Sequence, residues 1–142
     1  MRKIFGYTYT DHTADAGFIA WSDSIEGVFE LSTYALLNLI IDSETVIPTQ
    51  SQQIEIYSDR TKSLLIDFLS KIKDIVQFEE FVIKEINNIR IMDNHLQAVI
   101  LGEPIYTEKH LFLSEIKRVT SHDFILKRYP NGFWKARVVL DL

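Results

Sequence analysis

The sequence predicts an α+β fold: a largely antiparallel β-sheet with two amphipathic helices packed on one face. Three observations predict it. Residues 24–40 and 60–78 carry apolar side chains at three- and four-residue spacing, the period of a helix with one buried face. From residue 81 onward the apolar period falls to two, the period of a strand. Short turn signals separate many of these runs, leaving no room for parallel crossovers, so neighbouring strands pair antiparallel.

The elements follow in order. Residues 4–10 read as a strand. Next comes Asp11-His12-Thr13-Ala14-Asp15-Ala16-Gly17, read as a loop, and then a short strand over 18–21. Ser24 suits a helix N-cap, and Glu26 puts an acid in the first turn, where the helix dipole favours it. Ile25, Val28, Phe29, Ala35, Leu36, Leu39 and Ile40 form the buried face of this first helix. Residues 42–51 are polar and contain Pro48, so they form a loop. Ile54, Glu55 and Ile56 alternate as in a strand.

Asp59 or Thr61 caps the second helix, whose core face is Leu64, Leu65, Phe68, Leu69, Ile72, Ile75 and Val76. Glu79-Glu80 marks its end. Strands over 81–92 and 95–101 flank an Asp93-Asn94 turn. Gly102-Glu103-Pro104 is expected to break the ladder and open a loop to residue 109. Three more strands are expected at 113–120, 124–129 and 133–140, with Pro130-Asn131-Gly132 turning the last two. The order is strand, strand, helix, strand, helix, then five strands.

A chain of 142 residues suits one domain, 1–142, able to bury its own core. It has no cysteine, which excludes disulfides, thiolate nucleophiles, zinc–cysteine sites and iron–sulfur clusters. No signal-peptide pattern opens it and no apolar run is long enough to span a bilayer, so the expected location is cytoplasmic, away from membranes. The net charge of −5 disfavours a broad nucleic-acid surface, because such surfaces neutralise phosphates with Lys and Arg. A protein partner or a cation fits this charge better.

Three clusters carry candidate chemistry. The first is the opening motif, with two carboxylates, an imidazole and a hydroxyl within seven residues. Asp15, beside Gly17, is its strongest candidate ligand for a cation. His12 suits a supporting hydrogen-bonding group or a base, and a packed structural imidazole is an equal reading. The plainer reading of the whole motif is a solvated turn. The second cluster is the end of the chain. A strand from Trp134 runs into Asp141-Leu142, and the Asp141 side chain with the Leu142 carboxylate would gather hard oxygens of the kind that suit calcium, magnesium or manganese. A simple exposed acidic end is the plainer reading there.

The third cluster is Glu115-Ile116-Lys117-Arg118-Val119-Thr120-Ser121-His122-Asp123. Alternation would put Glu115 and Lys117 on one face of a strand, with Lys117 able to bind phosphate or balance carboxylates. Its plainer reading is a charged edge that discourages aggregation, with His122-Asp123 as a polar turn. There is no P-loop, dinucleotide fingerprint, zincin helix or Gly-x-Ser-x-Gly elbow.

Taken together, the clusters resemble the archease family. The resemblance rests on Asp11-His12-Thr13-Ala14-Asp15-Ala16-Gly17, Asp23-Ser24-Ile25-Glu26-Gly27-Val28-Phe29 and Leu64-Leu65-Ile66-Asp67-Phe68-Leu69. It continues through Gly102-Glu103-Pro104, Glu115-Ile116-Lys117-Arg118-Val119-Thr120 and Val138-Val139-Leu140-Asp141-Leu142. It covers nearly the whole chain, in order. It implies an accessory protein, not a stand-alone enzyme, with no catalytic residues of its own. Its partner would be an RtcB-type tRNA-splicing RNA ligase, with RNA contacted only indirectly.

Archeases promote the ligase's GTP-dependent guanylylation, sustain multiple turnover and broaden nucleotide use. Carried over by position, Asp15, Asp141 and Leu142 would hold a divalent cation, calcium in the family's description. Lys117, Asp15 and Asp141 would serve partner activation, with Asp11 and His12 in support. Two positions depart from the family's pattern. Arg118 stands where a small residue is common, and Ser121 where an aromatic is common. The rival expectation from another class is a small metal-dependent phosphoester hydrolase built on Asp15, His12 and Asp141. A third is an interaction module that binds no ion.

Overall fold

The computed structural model describes residues 5–11 and 15–142, with Asp11 and Asp15 described in their main chain only. Among these residues run β1 (Gly6–Asp11), β2 (Asp15–Ser22), α1 (Ile25–Ile40), a short 3-10 turn (Ser43–Thr45) and β3 (Gln50–Tyr57). They continue as α2 (Thr61–Gln77), β4 (Phe81–Met92), β5 (His95–Pro104), β6 (Arg118–Arg128) and β7 (Trp134–Asp141). The α+β class, the two helices and the antiparallel pairing are as predicted. The strands divide between two sheets, ordered β1-β2-β7-β6 and β3-β5-β4. Both helices touch both sheets. α1 packs on β1, β2 and β7 of the first and on β4 of the second, and α2 packs on β6 of the first and on β3 and β4 of the second.

The core is built from the predicted faces. Val28, Phe29, Leu36 and Ile40 of α1 meet Leu64, Leu65, Phe68, Leu69 and Ile72 of α2, all fully buried. Phe29 and Phe68 sit ring to ring at 5.8 Å. Ser24 caps α1 through its side chain, accepting the Gly27 N–H at 3.0 Å.

Four expectations change. The cap of α2 is Arg60, which makes no side-chain capping bond; Thr61 instead donates its hydroxyl to Asn94 at 2.9 Å. Gly102-Glu103-Pro104 does not break the ladder, because β5 runs through it. Gly102 pairs with Ile83 and Gln50, where a Cβ would lie 1.8 Å from the Val82 carbonyl oxygen. The glycine is needed for close strand approach.

The two strands expected at 113–120 and 124–129 are one strand, β6. Its register slips between Thr120 and Ile125, with Asp123 at φ 51°. Five steps along β6 face two along β7 here, and this irregularity in the ladder absorbs His122-Asp123. Four strands therefore follow α2, not five. Residues 113–117 lie before β6, so Glu115 and Lys117 do not share a strand face; the backbone there is held at Leu113 by the end of α1, at Ile116 by the Gln77 side chain and at Lys117 by β7.

The predicted turns hold. Asp93 and Asn94 take φ of 50° and 62°, as a two-residue hairpin turn of the right hand requires. Gly132 takes φ +89° between β6 and β7.

Candidate functional site

The antiparallel register brings the first and last motifs of the sequence to one end of the first sheet. β1 and β2 pair from Gly6↔Trp21 to Asp11↔Ala16, so the expected seven-residue loop is shorter than predicted and Gly17 lies within β2, opposite Thr10. β2 then pairs with β7 so that Asp15 lies opposite Asp141. On its other flank β7 pairs with β6, and Arg118 lies opposite Asp141. The result is a row across three strands: Asp15, Asp141, Arg118. The Asp141 carboxylate, half-buried, accepts from Arg118 Nη2 at 2.7 Å and from Nε at 3.2 Å, both at Oδ2. His12, predicted in support, lies outside the described residues, as do the side chains of Asp11 and Asp15. Leu142 follows β7 and is exposed.

Lys117 reaches the same place by a different route. Its N–H donates to the Asp141 carbonyl at 2.8 Å. The preceding residue is gripped by α2: the Gln77 side-chain amide donates to the Ile116 carbonyl and accepts the Ile116 N–H, each at 2.8 Å. An amide group thereby satisfies both backbone atoms, as a neighbouring strand would. Leu113 N–H donates to the Ile40 carbonyl at the end of α1. Buried Lys73 of α2 lies beside the Lys117 carbonyl at 3.4 Å and pairs with Asp74 at 2.8 Å. The Ile116 side chain is fully buried, while Lys117 and Glu115 are exposed. Lys117 is thus an exposed cation on a backbone tied to α2 and β7.

The sequence missed a second ionic cluster. Glu103, buried at the end of β5, accepts from the Ile47 N–H at 2.7 Å, from Lys109 at 2.8 Å and from His110 at 3.0 Å. The Ile47 N–H first, then Lys109 and His110, hold its carboxyl down to about 2. His110 Nδ1 accepts the Tyr106 N–H at 2.9 Å, so Nε2 carries the proton and donates to Glu103. No periodicity announces this cluster, because Lys109 and His110 sit in an irregular loop. The only local signal was an acid between glycine and proline.

Asp15 and Asp141 are opposed in the ladder, and carboxylates are of the ligand type that suits a hard divalent cation. Like charges at directly opposed positions of a ladder repel, and an ion such as calcium taking oxygen ligands from both would relieve this. Among the described residues, no group of three His, Asp or Glu side chains is placed to hold a metal. The described part of the row supplies one carboxylate, Asp141, and it is shared with Arg118.

Fold and site define a small two-sheet α+β protein with a row of charged residues across β2, β7 and β6. The sequence profile of the archease protein family matches residues 7–142, and the chain belongs to that family. It is 36% identical to the protein archease of Methanosarcina mazei, covering 96% of this chain and 95% of that one. It is 30% identical to that of Pyrococcus abyssi, covering 96% and 98%. The solution structure of Methanobacterium thermoautotrophicum protein 1598 superposes with a TM-score of 0.78 at 33% identity, over 96% of this chain and 99% of that one. The crystal structure of an archease from Thermotoga maritima, described as a possible chaperone, shares the fold at a TM-score of 0.66 and 20% identity, over 100% of this chain and 98% of that one.

Proposed function

We propose that this chain is an accessory protein, not an enzyme in its own right, that activates an RtcB-type tRNA-splicing RNA ligase in the cytoplasm. It would promote the ligase's GTP-dependent guanylylation and multiple turnover, and widen its use of nucleotides. Membership of the archease family supports this reading. So does one structural observation: Asp15, Asp141 and Lys117, far apart in sequence, meet at one sheet end through β2–β7 pairing and the Lys117–Asp141 main-chain bond.

Each residue has a part. Asp15, Asp141 and a main-chain oxygen of Leu142 would hold a divalent cation, calcium by preference and magnesium or manganese by the same chemistry. Such an ion supplies charge that offsets triphosphate and phosphate groups at the ligase. Asp11 and His12 support that end. Lys117 presents its ammonium to a phosphate or an acidic surface of the partner, and Gln77 keeps its backbone from wandering. RNA is met only through the ligase, in keeping with the net charge of −5.

Multiple-turnover ligation by an RtcB-type ligase with GTP, run with and without this chain, tests the reading. The chain should stimulate turnover, and Asp15→Ala, Asp141→Ala and Lys117→Ala should lose most of that stimulation while remaining folded by circular dichroism. No stimulation of a matched ligase, or phosphoester turnover by the chain alone, overturns it.

A further inference from the structure

We propose that the Arg118 guanidinium is a built-in counter-cation of Asp141, so that a divalent cation gains this carboxylate only by displacing it. The proposal rests on the reading of Asp15 and Asp141 as a cation site. It follows from the row across β2, β7 and β6. Asp141 is the middle residue, with an acid opposite it on one flank and Arg118 opposite it on the other. The guanidinium places two donors on one oxygen, Oδ2, at 2.7 and 3.2 Å. Arginine stays protonated at any ordinary pH, so this charge is always present.

The contact is also releasable. The Arg118 side chain is 73% exposed, against 35% for Asp141. Among the described residues the guanidinium has no hydrogen-bond partner besides Asp141. Swinging it into water therefore breaks one screened ion pair and uncovers little else. A positive charge at this carboxylate both occupies an oxygen and repels an incoming cation. Arg118 thus sets the affinity of the site, keeping the ion exchangeable while leaving Asp141 neutralised when the ion is gone.

Calorimetric titration of the full chain with calcium chloride at low ionic strength tests this directly. Arg118→Gln keeps most of the stem and removes the charge; Arg118→Lys keeps the charge. The glutamine variant should bind calcium about three- to ten-fold more tightly than the parent, and the lysine variant within about two-fold of it. The calcium-induced rise in Tm should be larger in Arg118→Gln, and added sodium chloride should narrow the difference between the two. Equal or weaker binding by Arg118→Gln overturns the role of Arg118 and leaves the cation site standing. Absence of calcium binding in the parent and the glutamine variant alike overturns the cation reading and this inference with it.

Discussion

Asp141 and Glu103 each meet a basic side chain at about hydrogen-bond distance, 2.7 Å to Arg118 in one case and 2.8 Å to Lys109 in the other. The resemblance ends there. Asp141 lies at the surface and its partner is mostly in water. The Glu103 side chain is 5% exposed and also accepts from a main-chain N–H and a buried histidine. An exposed pair of this kind contributes little to stability because water and salt screen it. A buried carboxylate with three donors cannot lose one without leaving polar groups unpaired. The same two residue classes therefore make a screened surface pair in one region of the molecule and a fixed anchor in another. Burial and the number of donors decide which, rather than the presence of a salt bridge.

Substitutions at the two carboxylates and their supports test this difference. The largest loss should come from Gly102→Ala, beside the buried anchor. Its new Cβ has nowhere to go at 1.8 Å from the Val82 carbonyl oxygen, and about 3 kcal/mol should vanish in urea denaturation. Unchanged stability there would mean that β4 and β5 separate freely. Next comes Glu103→Ala, which strands the Ile47 N–H and His110; a drop in Tm of roughly 5–10 °C is expected by calorimetry.

Acid provides a reversible version of that experiment. Because the Glu103 carboxyl is held down to about 2 in the folded chain, its contribution is complete above the ordinary value of 4.5 and is lost as pH falls from there toward 2. Glu103→Gln should flatten the fall in Tm across that interval. A slope identical to the parent would show that other carboxylates carry the acid sensitivity.

Gln77→Ala occupies the middle ground. It frees both backbone atoms of Ile116 and should cost about 1–2 kcal/mol. Ligase stimulation should fall further than that loss of stability explains, since the Lys117 backbone is loosened. Retained stimulation would detach Lys117's role from its backbone support. Arg118→Gln in calcium-free buffer should show the smallest effect, less than about 1 kcal/mol and vanishing in high salt. A larger loss would place the Arg118–Asp141 pair with the anchors after all.

Much of the fold was legible because periodicity is local. α1 and α2 could be read from their apolar spacing, and β4 from its alternation, ending at the predicted residues 81 and 92. Residues 113–117 misled because alternation also occurs where a backbone is held by something other than a strand, here the Gln77 amide. The ladder at Gly102 misled for a related reason: glycine before an acid and a proline suggests a break unless the neighbouring strand is close enough to require it. At the candidate site, the sequence supplied Asp15, Asp141 and Lys117 as residues of interest. It gave no sign that Arg118 would claim Asp141.

The fold class, both helices, the β4–β5 and β6–β7 turns and the residue types available for chemistry follow from the order of residues along the chain. These depend on spacing and on backbone preferences that each segment carries alone. Tertiary structure alone decided the division into two sheets, the opposition of Asp15 to Asp141, the counter-charge from Arg118 and the burial of Glu103 with His110. Those depend on register and burial, which exist only once strands distant in the chain have chosen their neighbours.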